Sequence, residues 1–313
     1  MFKKNVFTSL CCGVFIFGFC AVGYPADLQF EYVMSIGSKG DGPGQFRYVE
    51  DFAFDRKGHL LATDAAHGYV QAFDRKTGKY INRFGGKGDE NHQLDKPEGI
   101  AVCPEGNIFV ADYSTGYIKK YDRNYKWLMT FSDYGSEPGE NIKSEFMAIH
   151  DGLLFMAEAG NHRVDVFDLK GNFQFLFGGK GNGDGKMNNP EAAKVSSEGK
   201  IYVTDLKNDR IQVFTKTGKF IKAWGTTGSG PGEFKAPAGL TFDEQGNVYV
   251  SEIGNNRIQV FDKDGNFITM WGKEGTEKGE FSNLHGIIAD KARGWLYVAD
   301  TGNNRIQVFR PVN

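Results

Sequence analysis

An all-β, six-bladed β-propeller is the fold that the sequence predicts, and three observations predict it. The chain of 313 residues holds 42 Gly, 27 Phe, 13 Tyr and 4 Trp but only 9 Pro. That mixture suits many short strands joined by tight turns rather than helices. A unit of 40-odd residues recurs along the chain, and the two ends read as complementary parts of one such unit.

Taken in order, residues 1–26 read as a secretory signal. Lys3 and Lys4 precede an uncharged apolar stretch from Val6 to Val22, and Ala21 and Gly23 are small residues suited to cleavage. The mature chain, 27–313, is then a single domain, exported and either secreted or periplasmic. No later stretch approaches the roughly 18 apolar residues of a membrane-spanning helix. Cys11, Cys12 and Cys20 fall in the signal, which leaves Cys103 alone at the end of the apolar run from Gly99 to Val102. A buried, inert thiol is expected there, neither a disulfide nor a metal ligand.

The repeat is marked by acidic anchors at Asp64, Asp112, Glu158, Asp205, Glu252 and Asp300, separated by 48, 46, 47, 47 and 48 residues. The fifth unit shows the elements best. Gly239–Phe242 is a short apolar strand a, and Asp243–Asn247 is a turn. Val248–Ser251 is strand b, followed by the loop 252–256. Ile258–Phe261 alternates as a half-buried strand c, Asp262–Asn266 is a hairpin turn, and Phe267–Trp271 is strand d. A glycine-rich loop, 272–282, leads to the next unit. Four antiparallel strands per unit, repeated, describe a propeller blade. The last unit stops at its strand c, Ile306–Phe309, and the mature chain begins with an orphan d-type strand, 32–36. Pairing the two closes the ring and removes exposed sheet edges.

The motif Gly-x-x-Gly-x-Gly-x-Gly-x-Phe, then Pro-x-Gly-Ile-Ala-Val-Asp, then Tyr-Val-Ala-Asp-x-x-Asn-x-Arg-Ile-Gln-Val-Phe resembles the NHL repeat of bacterial, exported propellers. Gly228 to Phe261 carries it best, and the resemblance spans roughly residues 30–310. It implies the propeller fold. It does not fix a function, because the family includes lyases, RNA binders, sensors and protein-binding scaffolds.

Most repeated polar positions read as structural. The pairs Glu158/Arg163, Asp205/Arg210, Glu252/Arg257 and Asp300/Arg305 are expected to be ion pairs tying each b–c loop, with Tyr69 and Tyr117 in the arginine place of the first two units. Asn161, Asn208, Asn255 and Asn303 are expected to form those loops. Phe84, Phe131, Phe177, Trp224 and Trp271, at strand-d ends, are expected to pack between blades. A net charge of −2, with lysines gathered at the short c–d turns, argues against nucleic-acid binding.

One register differs. Fourteen residues beyond the last apolar residue of each strand d stand Glu50, Glu98, Glu145, Glu191, Ala238 and His285. This is the x of Pro-x-Gly-Ile, at the start of the innermost strand, where it should face the central channel on the long-loop side. Four carboxylates converging on one axis must take up protons, stay wide and wet, or bind a cation. Oxygen ligands with one imidazole suit Ca²⁺ or Mn²⁺ better than structural zinc. Glu50, Glu98, Glu145, Glu191 and His285 are therefore the candidate metal residues. NHL-type amidating lyases place three zinc-binding histidines at this strand start, and only His285 matches. Calcium-dependent lactonases place acidic and Asn ligands there, and Glu50–Asp51 is similar to their first acidic pair. His67, His92 and His162 are expected in loops at the same end; His59 and His150 toward the opposite one.

The sequence thus leads to a monomeric module that binds a protein or a small ligand on its long-loop face, without catalysis and with no nucleic-acid partner. A metal-dependent hydrolase or lyase is the competing reading. No nucleophile elbow and no phosphate loop occurs in the right context.

Overall fold

The computed structural model describes residues 28–312, so the signal expected at 1–26 lies outside the described residues. Blades 1 to 5 are four-stranded antiparallel meanders whose innermost strands are Val49–Phe54, Pro97–Val102, Ser144–His150, Pro190–Val195 and Pro237–Phe242, those of blades 3 and 4 touching through one parallel bridge, Phe146 opposite Ala192. Blade 6 takes Leu284–Asp290, Trp295–Asp300 and Arg305–Val312 from the end of the chain and Gln29–Ile36 from its beginning. That closing pair runs from Gln29 opposite Val312 to Ile36 opposite Ile306. The closure predicted from 32–36 is correct in kind and longer by three residues at each chain end. Among the described residues no helix is long and apolar enough to cross a membrane.

The strands form where the sequence alternates, and each blade interface is sealed by its own apolar cluster. Between blades 6 and 1, Ile36, Tyr297 and Val308 meet Phe52, Leu60 and Phe73; five further clusters of the same build occupy the other interfaces. Phe84, Phe131 and Phe177 are buried in them, with Trp224 and Trp271 packed alongside. Burying one such ring contributes on the order of 2 kcal/mol. Cys103 is buried in the third cluster. The glycine loops fold back on themselves and insert one residue between blades: Phe46, Leu94, Met187, Phe234 and Phe281, with a buried Asn141 in blade 3.

The acidic anchors are all fully buried. Arg210, Arg257 and Arg305 pair with Asp205, Glu252 and Asp300 at 2.6–2.8 Å. Arg163 does not pair with Glu158, which corrects the expectation for blade 3. Its Nε donates to Asp165 at 2.7 Å, because Asp165 stands where blades 4 to 6 carry Gln212, Gln259 and Gln307. Glu158, relieved of the guanidinium, accepts backbone N–H groups from Ile142, Lys143, Gly160 and Asn161. Asn161, Asn208, Asn255 and Asn303 each donate to a glycine carbonyl of the preceding long loop at 2.9–3.0 Å, the loop-forming role expected of them.

Candidate functional site

Every innermost strand shifts register against strand b at its start: after Val49, Pro97, Ser144, Pro190, Pro237 and Leu284. A bulge adds a residue without a pairing partner and re-aims its side chain. The residues so turned are Glu50, Glu98, Glu145, Glu191, Ala238 and His285. Their neighbours allow the ring to close tightly. A Cβ on Gly99, Gly239 or Gly286 would run into the backbone carbonyl of Glu145, His285 or Glu50 in the next blade. Hydroxyls from strand b reinforce the circle: Thr63 donates to the Glu98 carbonyl and Thr204 to that of Ala238, both at 2.8 Å, and Ser251 to that of His285.

All five candidate residues reach the hub, and all are buried, from 2% exposed for Glu50 to 8% for Glu191. The Glu145 position, in the unit one residue short, is in register with the others. The carboxyls feel one another. Burial first, then the charges of Glu98 and Glu191, push the Glu50 carboxyl well above its ordinary range. Burial and the same kind of neighbours, Glu191 and Glu98, do so for Glu145. Glu191 is pushed up to about 8 by burial and by Glu98. Glu50 Oε2 and Glu145 Oε2 are buried without any hydrogen-bond partner. His285 Nδ1 faces the carbonyl of Asn283 at 3.0 Å and its Nε2 lies 3.8 Å from Glu50 Oε2; burial lowers its proton affinity.

A second tier lies two residues earlier, at the mouth: Tyr48, Lys96, Lys143, Asn189, Ala236 and Asn283. The acidic anchors hold this tier. Asp64 accepts the Tyr48 N–H at 3.1 Å, Asp112 that of Lys96 at 3.0 Å, and Glu158 that of Lys143 at 2.7 Å. Lys96 Nζ reaches Glu98 Oε1 at 2.5 Å and sits over the Tyr113 ring at 3.8 Å. Burial works against its charge, yet the Glu98 carboxylate prevails and raises the ammonium pKa. The Tyr48 hydroxyl accepts from Asn283 Nδ2 at 3.1 Å.

Below the ring the channel is bridged. Lys194, on the innermost strand of blade 4, donates to both carboxylate oxygens of Asp51 in blade 1 (3.1 and 3.4 Å) and to the carbonyl of Met147 in blade 3 (3.0 Å). Asp51 is therefore not the free second carboxylate that the lactonase resemblance implies; the bulge turns it away from Glu50 and the bridge holds it. Beyond the bridge a well of about 260 Å³ is lined by Phe52, Phe54, Ile100, Val102, Ile149 and Ile288. The hub and its mouth thus gather five carboxyls, Glu50, Asp51, Glu98, Glu145 and Glu191, against three ammonium groups, Lys96, Lys194 and Lys143, the last also over the Tyr113 ring at 5.7 Å. As placed, no three His, Cys, Asp or Glu side chains among the described residues converge closely enough to hold one metal ion.

The loop histidines bind outside the carboxyl ring. His67 bridges Asp64 and Asp41 at 2.7 and 2.8 Å, His162 Nδ1 accepts the Asn189 N–H at 3.0 Å, and His92 faces Glu90. Lys96, Tyr48 and Tyr113 were missed from sequence. Counting back two places from each ring residue would have found the first two. Lys194 had its own signal, a lone charge in the run Ala192-Ala193-Lys194-Val195.

The arrangement defines the class: a six-bladed β-propeller with an acidic hub. Residues 186–258 and 245–310 match the family described as 6-bladed beta-propeller. Within the ring, residues 94–121 match the NHL repeat. No curated protein matches its sequence. Among solved structures it is similar to an auxiliary nutrient binding protein from Bacteroides thetaiotaomicron VPI-5482, at 15% identity and a TM-score of 0.68 over 92% of this chain and 78% of that one. A gluconolactonase from Xanthomonas campestris is similar at 13% identity and a TM-score of 0.66, over 90% and 99%. Virginiamycin B lyase from Staphylococcus aureus is similar at 13% and 0.62, over 91% and 99%. At such identities the likeness is one of fold.

Proposed function

We propose that the protein is an exported binding module whose long-loop face takes a ligand or a partner protein, with a cation held at the axis by the hub carboxyls. One observation carries this reading: two buried carboxyl oxygens, Glu50 Oε2 and Glu145 Oε2, point into the hub with no donor to satisfy them. An unpaired buried carboxylate costs several kcal/mol unless it is protonated or meets a positive charge. Ca²⁺ or Mn²⁺ are the metal ions whose ligand preferences suit these oxygens, but the side chains as placed form no ready cage for either, so such an ion would keep much of its water. Titration calorimetry on chelator-stripped protein tests the reading. Cation uptake is expected in the wild type and not in a Glu98→Gln, Glu191→Gln double variant. No uptake, together with unchanged melting of the double variant, would sink it.

The competing reading, a metal-dependent hydrolase or lyase, is favoured by asymmetry: Ala238 and His285 break the carboxyl ring, and catalysis needs unlike groups in one place. Chelator-sensitive opening of a lactone, lost in His285→Ala, would establish it.

A further inference from the structure

Resting on the hub as a cation site, we propose that the cation it accepts is a primary ammonium group, and that Lys96 is a tethered stand-in for that group. Its ammonium is seated between the Glu98 carboxylate, at 2.5 Å, and the face of Tyr113, at 3.8 Å. A carboxylate on one side and an aromatic face on the other is how proteins recognise alkyl-ammonium ions. A calcium ion gains nothing comparable from a ring face and needs six to eight oxygens at about 2.3–2.6 Å, whereas no three carboxyls among the described residues converge.

The tether is built to let go. Lys96 lies in the loop just before the innermost strand of blade 2, so its side chain can leave without disturbing a strand. It is 37% exposed while its partner Glu98 is only 6% exposed. An open cleft of about 420 Å³, lined by Tyr48, Ala65, Lys87, Asp95, Lys96 and Ser114, lies alongside and gives a way in. Deeper in the hub, Glu50 and Glu145 still hold oxygens without donors, so an incoming ammonium finds acceptors that Lys96 does not use. The exchange also conserves charge: one monovalent cation leaves and another arrives.

The test uses Lys96→Met, which removes the charge and ends one atom short of the ammonium position, with methylammonium as the probe. Calcium chloride and sodium chloride at matched ionic strength are the comparisons, and calorimetry and thermal melting at pH 7 are the readouts. Lys96→Met is expected to bind methylammonium saturably and at least tenfold more tightly than the wild type, with its melting temperature rising on binding. Adding Glu98→Gln should abolish the effect. Equal responses in wild type and variant, or a response no larger than that to sodium, overturn the proposal. Tighter binding of calcium than of methylammonium overturns the ammonium assignment and leaves the cation reading standing. Absence of any cation binding in either protein removes both. Should Lys96→Met not fold, Lys96→Gln serves in its place; failure of both to fold also overturns the proposal, because a displaceable occupant cannot be indispensable to the fold.

Discussion

Glu50, Glu145 and Glu191 bind protons more tightly in the folded chain than in the unfolded one. The folded state therefore holds more protons between the ordinary carboxyl range and about pH 8, the value reached by Glu191. The stability these three groups contribute is lost as pH rises through that window, while His285 and His162, whose proton affinity burial lowers, contribute the opposite slope below the ordinary histidine range. Melting temperature is expected to be higher at pH 5 than at pH 8, by on the order of 5 °C, and Glu191→Gln should flatten the dependence by removing one titrating group. A melting temperature that climbs with pH would contradict this. The bridge predicts a sensitivity to loss of its cation. Lys194→Met leaves Asp51 buried without its cation and should cost about 3–5 kcal/mol in a denaturant titration; Lys194→Met with Asp51→Asn should recover much of it. At this scale the ring itself was legible, because a fixed count of fourteen residues from strand d lands on one bulge per blade. Its partners were legible only as positions, Lys96 two places before Glu98 and Lys194 as a lone charge in an apolar run. Whether either turns inward depends on the loop and on the opposite blade, which no repeat offset shows.

The bulged innermost strand is the element that makes the site. Its extra residue aims a side chain at the axis, and the glycine that follows in blades 2, 5 and 6 lets the next blade's carbonyl come within contact. Gly286→Ala should therefore push the Glu50 backbone outward, with a loss on the order of 2–3 kcal/mol read by chemical denaturation. The same change at Gly183, where an added Cβ meets nothing, should be close to neutral. The strands themselves were readable from alternation and turn residues, to within a residue or two in the fifth unit. The bulges were hidden, because an added residue at a strand start looks like an earlier start. Blade 3 shows how a single position redirects a motif: Asp165 draws Arg163 inward and frees Glu158 for backbone N–H groups. Repeat-to-repeat likeness suggested the usual pair, and the residue two places on decided otherwise. Asp165 is pushed up to about 6 by its burial, in spite of the guanidinium beside it, so it adds to the loss of stability with rising pH.

Closure governs the molecule as a whole. The strand at Gln29–Ile36 completes blade 6 and contributes Ile36 to the cluster shared with blade 1. Deleting residues through Ile36 would expose the edge of Arg305–Val312 and open one interface of six. The expected result is a less cooperative, lower-temperature transition and self-association visible by light scattering; an unchanged monomeric melt would show that the ring does not depend on its clasp. The complementary ends made this closure readable from sequence alone. What lay across the middle was not readable, since Asp51 and Lys194 are 143 residues apart and meet only once six blades stand in a circle. That crossbar means the propeller is not a pipe. For any guest that enters among the carboxyls, Lys194 stands between it and the greasy recess on the other face, which that same side chain helps to line.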